Sequence, residues 1–115
     1  MKLTLPIPPS VNHMYVGPKR AMDAKARAWF TEAGLSTRKQ CVDQGWGMTK
    51  ETWLYADMKF YMPDRRRRDS HNTIKILLDV MEGQVYENDF YVMPRIQEVA
   101  YDKENPRVEI EFSEA

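Results

Sequence analysis

The stretch of residues 52–83 restricts the possible folds more than any other part of this chain. Apolar side chains alternate through residues 52–62, which is the pattern of a half-buried strand, and Pro63 ends the strand because it has no amide hydrogen to donate. A helix then starts at Asp69 or Ser70, either of which can cap it, and ends at Gly83. Its predicted buried face consists of Ile74, Leu77, Leu78 and Met81.

The other segments complete the order β-α-β-α-β-β. We predict a strand at 2–7, a helix from about 22 to 44, and strands at 91–101 and 107–112 joined by a hairpin at 103–106. An extended loop at 8–15 leads into a Gly17-Pro18 turn. The expected fold is a small single α/β or α+β domain spanning residues 1–115, with a mixed sheet packed against helices.

Composition narrows the class of protein. The chain is 43% hydrophobic and 30% charged, as a globular domain is, and it has neither a membrane-length apolar run nor a signal-peptide pattern. Cys41 is the single cysteine, which favours a reducing compartment. We therefore expect a cytoplasmic protein that does not contact a membrane.

Charge is unevenly distributed, although the formal net charge is zero. Between Lys59 and Lys75 six basic residues stand against two acids, whereas residues 98–115 carry six acids and two basic residues. A local basic patch on a neutral protein can still attract a polyanion. The basic segment thus favours a nucleic acid as the partner.

The residues after Pro63 combine the groups needed for phosphodiester chemistry. The arginines, Arg65 to Arg68, can neutralise phosphates, and they lead directly to Asp69, His71 and Lys75 at the start of the predicted helix. The free N–H groups of a helix start suit a phosphate, and a carboxylate beside a phosphate calls for a divalent cation between them. A second carboxylate, Asp89 or Glu87, lies beyond the helix. The pattern indicates an enzyme that acts on a phosphodiester backbone.

A structural interpretation competes with this one. Asp69 can be only a helix cap, His71 an exposed polar residue, and Lys75 the partner of Asp79 in an i,i+4 ion pair. The arginines can form a solvated strand end, but four adjacent like charges repel each other, so an anion nearby is favoured.

With these motifs in view, the chain resembles the RusA family of Holliday junction resolvases over nearly its full length. The shared features are the proline-rich start at 5–15 with its Asn12, the segment 62–69, the helix at 72–79, and Val85-Tyr86-Glu87-Asn88-Asp89. The combination of arginines, Asp69, helix and Asp89 is the specific part, because the proline-rich start alone is common.

The resemblance implies an endonuclease of bacteria, prophages or phages that acts in DNA recombination and repair. Such enzymes use Mg²⁺, and no small-molecule cofactor, to cut two symmetry-related strands of a four-way DNA junction as homodimers. By position, Asp69 matches the first catalytic acid, Lys75 the essential lysine and Asp89 the distal acid. The arginines match a DNA-contacting segment, to which we add Asn12 and Asn72.

One position departs from the family pattern. The usual Asp-x-Asp-Asn is Asp69-Ser70-His71-Asn72 here, so a histidine stands where a second acid is common. We expect His71 to remain a metal residue, with Mn²⁺ supporting activity at least as well as Mg²⁺, because imidazole suits softer divalent ions. Metal affinity should then fall below about pH 6.5, since a ligating histidine is neutral.

Two other functions stay open at this point. One is a metal-dependent nuclease for a different branched or flapped DNA, and the other is a DNA-binding relative without catalytic activity. Cleavage of a four-way junction, compared with a flap and a linear duplex, separates the three.

Overall fold

The fold is a four-stranded mixed sheet with two helices. The computed structural model describes residues 1–9, 15–16, 21–22, 24–65 and 70–115, with the backbone alone for 15–16, 21–22 and 70–72. The elements are β1 (Lys2–Leu5), β2 (Tyr15–Val16), β3 (Ala21–Met22), α1 (Ala24–Asp43), β4 (Leu54–Met62), α2 (Ser70–Met81), a 3₁₀ turn (Asp89–Tyr91), β5 (Val92–Tyr101) and β6 (Arg107–Glu114). The predicted α+β class and mixed sheet are confirmed. None of the described helices is both long and apolar enough to cross a membrane.

The strands lie in the order β1-β6-β4-β5. β4 and β5 are parallel, and α2 connects them, as a crossover between parallel strands requires. β6 is antiparallel to both of its neighbours, β4 and β1. A separate two-stranded ribbon, β2 with β3, occupies part of the segment for which we predicted a loop and the start of a helix.

The predicted hairpin between the last two strands is wrong. β4 lies between β5 and β6, so the connecting residues 102–106 pass across the end of β4 over two strand spacings, about 10 Å. Asp102 holds this crossing: its amide donates to the Met62 carbonyl at 2.8 Å, and its carboxylate accepts from the amide of Asn105 at 3.1 Å. The alternation of apolar and charged residues along β6 correctly predicted a strand, but such a pattern does not show which strand it pairs with.

The guanidinium of Arg107 completes that crossing. It lies 2.9 Å from the carboxylate of Asp102 and 2.9 Å from that of Glu109. The hydrogen bond from Arg107, helped by the backbone amide of Asn105, holds the pKa of the Asp102 carboxyl below its usual range. The crossing therefore depends on one ionised aspartate.

A carbon-detected NMR titration should find the Asp102 carboxyl ionising below the ordinary aspartate value of about 3.9. Because the pKa is lowered on folding, the contribution of Asp102 to stability is complete above the unfolded pKa and is lost as pH falls through the folded one. Arg107→Met should return the midpoint towards the ordinary value. A midpoint that does not differ between the two proteins would contradict the assigned cause.

β4 is the central strand and builds the core. Its side chains alternate between the helix-covered face and the open face of the sheet. Those on the covered face are at most 4% exposed: Leu54, Ala56, Met58, Phe60 and Met62. Because β4 has a strand on each side and helices over one face, it is the element on which the rest of the domain packs.

The outer edge of β1 is protected by two glutamines of α1. The Gln40 side chain accepts from the Thr4 amide and donates to the Thr4 carbonyl, both at 2.8 Å. One turn later, Gln44 makes the same pair of bonds with Lys2, at 3.2 and 2.7 Å. Their amides take the place of a further strand, so the free edge of the sheet is at β5.

The tryptophans divide between core and surface. The indoles of Trp29 and Trp46 donate to the carbonyls of Pro6 at 3.0 Å and of Val85 at 2.9 Å. Trp53 is 45% exposed. Trp29 is therefore part of the core and Trp46 packs against it, whereas Trp53 lies at the surface.

Candidate active site and nucleic-acid interface

The arginine run leaves the sheet at the end of β4. Pro63 to Arg65 follow that strand, and the Arg65 guanidinium carbon lies 4.7 Å from the centre of the Tyr101 ring at the end of β5. The ends of two parallel strands thus place the first arginine at one edge of the sheet. Seven predicted site residues have no described side chain: Arg66, Arg67, Arg68, Asp69 and Asn12 lie outside the described residues, and His71 and Asn72 are described by their backbone only.

Although the side chain of His71 is not described, the backbone of α2 is described from Ser70 onward. The helix follows the arginine run as predicted, and His71 lies in its first turn. These positions keep the predicted order of arginines, acid and helix start along the chain.

Lys75 projects from α2 into solvent. Its side chain is 82% exposed, and its Nζ lies 3.7 Å from Asp79 Oδ2, one turn later. This is the ion pair of the structural interpretation, but an exposed pair of this kind contributes little to stability. The contact therefore leaves the lysine accessible to a ligand.

Asp89 lies beyond the other end of α2. It begins the 3₁₀ turn, and its amide donates to the Glu82 carboxylate at 3.3 Å. Asn88 caps this turn, accepting from the amide of Phe90 at 2.9 Å. The short turn therefore holds the backbone of Asp89 beside Glu82, the residue that follows the end of α2.

Tyr86 shows how acidic this end of the helix is. Its buried hydroxyl donates to the Leu78 carbonyl at 2.7 Å. Burial raises the pKa of Tyr86 strongly, and the negative charges of Asp89, Glu82 and Asp79 raise it further, in that order. The phenol therefore stays neutral and adds no buried charge to this end of the helix.

α2 thus carries Lys75 and Asp79 on one side, at i and i+4, and Glu82 directly follows its last residue. Its 12 residues span about 18 Å, with Ser70 at one end and Asp89 beyond the other. Lys75 is between them. Asp89 is not on α2 but in the 3₁₀ turn that follows it, so the described chain does not bring Asp89 to the start of α2.

The donor chemistry suits a hard divalent cation. Carboxylate oxygens are the ligands that Mg²⁺ prefers, and Asp89 and Glu82 provide them just beyond the end of α2. Within the described ranges no group of three or more histidine, cysteine or acidic side chains is close enough to form a complete metal site. Asp89 and Glu82 alone are too few ligands for Mg²⁺, so a metal site here needs residues from elsewhere.

Three aromatic rings cover the surface next to Asp89. The Trp53 ring lies 5.5 Å from Phe90 and 5.3 Å from Tyr91, and the last two are 5.1 Å apart. Phe90 is 66% exposed. This cluster was not predicted, because Trp53 is distant in sequence from the other two.

Sequence reasoning also missed Glu82, Tyr86 and Tyr101. Glu82 follows Lys75 by seven residues, a spacing that was available as a signal. Tyr86 and Tyr101 gain their positions only through the packing of α2 and the pairing of β5 with β4, for which no local pattern exists.

A model of the family Endodeoxyribonuclease RusA matches residues 6–113 of the 115-residue chain. The chain belongs to the RusA endodeoxyribonuclease family. A search of curated proteins finds no match. The family places the arginine run, Lys75 and Asp89 in a protein class that hydrolyses DNA, and it confirms the predicted resemblance over the segments that carried it.

Proposed function

We propose that this chain is a Mg²⁺-dependent endonuclease that resolves four-way DNA junctions in recombination and repair, working as a homodimer. The RusA match over residues 6–113 is the observation that carries the proposal. It is supported by an exposed lysine on α2 and by the carboxylates around Tyr86. The branched substrate, the metal and the dimer go beyond the match itself.

The metal ligands in this proposal are Asp69, Asp89 and His71. About 18 Å of α2 separates Asp89 from the helix start within one chain, so the proposal requires a second copy of the chain to complete the ligand set. When bound, Mg²⁺ or Mn²⁺ would neutralise charge on the scissile phosphate and acidify a water molecule. Lys75 stabilises the negative charge that develops on the phosphate oxygens, for which its solvent-exposed ammonium is suitably free. Asp79 lies 3.7 Å away and keeps that ammonium on the same side of α2.

DNA binding is assigned to the arginines, Arg65 to Arg68, together with Asn12 and Asn72. Each arginine that reaches a phosphate releases counterions, so affinity should fall steeply with salt. The acidic end of the chain disfavours binding elsewhere on the surface, because like charges repel the DNA backbone.

A homodimer follows from the substrate. A four-way junction has two-fold symmetry, and two identical active sites related by a two-fold axis can cut two equivalent strands. The length of α2 adds a reason, because it separates Asp89 from the helix start within one chain, and a second copy can supply the missing ligand. Sedimentation of the protein with and without a junction tests the dimer independently of cleavage.

Cleavage of a synthetic four-way junction, compared with a flap and a linear duplex, tests the function. The expected result is paired nicks at symmetric positions in the junction, dependent on added Mg²⁺ or Mn²⁺. Preferential cutting of the flap would assign a different branched substrate. Binding without cleavage, weakening steeply with salt, would identify a relative that only binds DNA.

The histidine at position 71 gives a metal-specific prediction. His71→Asp restores the family pattern and adds a hard oxygen ligand, so the affinity for Mg²⁺ relative to Mn²⁺ should rise several-fold. Calorimetric titration with each metal measures this without relying on activity. His71→Gln is the matched control, since it removes the imidazole without adding a charge, and an unchanged ratio in His71→Asp would argue that His71 is not a ligand.

A further inference from the structure

Arg65 and Tyr101 form a stack at the edge of the sheet. The guanidinium carbon lies 4.7 Å from the ring centre, within the distance at which a cation and an aromatic face attract each other. The Tyr101 ring is 48% exposed, so part of its surface remains in solvent. The contact joins the first residue of the arginine run to the last residue of β5.

A second arginine, Arg95, also stacks on a tyrosine ring, but a carboxylate neutralises its charge. Arg95 lies 3.8 Å from the Tyr55 ring centre on the open face of the sheet. It also binds both carboxylate oxygens of Asp57, at 2.6 and 2.9 Å. That hydrogen-bonded carboxylate raises the pKa of Arg95 and satisfies its charge within the fold.

The charge of the third stacked arginine, Arg107, is also neutralised by carboxylates. Arg107 lies 3.9 Å from the Tyr61 ring centre and is bonded to the carboxylates of Asp102 and Glu109. Asp102 is the neighbour of Tyr101 in sequence, so its bond to Arg107 directs that carboxylate towards the third stack. Arg65 differs from both. The ring of Tyr101 holds it, and no carboxylate of a described residue is bonded to its guanidinium.

We propose that Tyr101 is a positioning residue that holds Arg65 for a phosphate of the DNA backbone. A ring that lies over a guanidinium can hold it by one face and leave its N–H edge for a phosphate, and the guanidinium carbon of Arg65 lies over the Tyr101 ring. Arg66 to Arg68 continue the same positive segment, and this continuity commits the surface to a polyanion. The proposal rests on the proposed function, since it names the residue that orders one of the DNA contacts.

Holding Arg65 in place reduces the conformational entropy that it loses on binding DNA. An exposed stack of this kind is worth a modest amount, so its loss should weaken binding about two- to fivefold. Removing the Tyr101 ring should weaken DNA binding only when Arg65 is present. Tyr101 therefore differs from a residue that stacks directly on a base.

A double-mutant cycle separates these roles. The affinity for a four-way junction is measured by fluorescence anisotropy, without divalent metal so that no cleavage occurs, for Tyr101→Leu, Arg65→Gln and the double variant. Tyr101→Leu alone should weaken binding about two- to fivefold, and Tyr101→Phe should bind as the unmodified chain does. Arg65→Gln should lower the salt slope by about one. In the Arg65→Gln background, Tyr101→Leu should add nothing.

Tyr55→Leu is the matched control, because it removes the corresponding ring from an arginine that Asp57 already neutralises. It should leave DNA affinity unchanged, and thermal melting of each variant shows that the fold is intact. Equal weakening by Tyr101→Leu with and without Arg65 would overturn the proposal, as would no weakening at all. If the unmodified chain binds no junction, the proposed function fails and this proposal fails with it; additive effects in a chain that binds junctions overturn only the role of Tyr101.

Discussion

Lys75→Ala should cut a four-way junction at least about 100-fold more slowly than the unmodified chain, with little change in its affinity for that junction. The reason is that a charge aimed at developing negative charge acts mainly in the transition state, where it is worth more than in the bound ground state. The lysine is 82% exposed and has one exposed ion pair, so its removal costs the fold little. Single-turnover cleavage rates with saturating protein measure the effect on chemistry.

Asp79→Asn is the control for this prediction. It breaks the same ion pair, 3.7 Å long, while leaving the lysine in place. If Lys75 serves only as the partner of Asp79, the two variants should have equal and small effects. Cleavage by Lys75→Ala at the rate of Asp79→Asn would therefore remove Lys75 from the catalytic residues.

Phe60→Ala should lower the free energy of unfolding by about 3–5 kcal/mol. Phe60 lies on β4, the strand with a neighbour on each side, is fully buried, and contributes to the core between the sheet and the helices. Truncation leaves a cavity that the neighbouring strands on both sides prevent from collapsing. This loss is a large part of the 5–15 kcal/mol by which a domain is typically stable.

Val99→Ala is the matched control for Phe60. The two residues are register partners on adjacent strands, but Val99 is 47% exposed because it lies on the free edge strand. Its truncation should cost less than about 1 kcal/mol. Urea unfolding followed by circular dichroism gives both values, and a similar cost for the two would contradict the central position of β4.

Local periodicity predicted the elements of this fold well and their arrangement less well. β4 and α2 were predicted within two residues at each end, since alternation in one and helical spacing in the other are properties of neighbouring residues. The pairing of β6 with β4 was missed, because a five-residue connection suits a hairpin equally well. The cover that Gln40 and Gln44 give to β1 was also missed, as it depends on how α1 packs.

In the candidate site, too, contacts between residues close in sequence were predictable, whereas those that depend on the packing of distant segments were not. The contact of Lys75 with Asp79 was predictable from their spacing on a helix, and the structure has it. The position of Asp89 beside Glu82 depends on the path of residues 83–88, which contain no periodic pattern. Tyr101 became a partner of Arg65 only because β5 runs parallel to β4 and ends beside it.

The central claim is that this RusA-family chain makes two coordinated cuts in one four-way junction. A supercoiled plasmid that extrudes a cruciform tests it most directly, because two cuts within one bound complex convert the circle straight to a linear molecule with ligatable nicks at its hairpin ends. We predict that linear product, with Mg²⁺ or Mn²⁺ present, and no accumulation of nicked circles. Nicked circles alone, or equal cutting of a plasmid without the cruciform, would contradict the account.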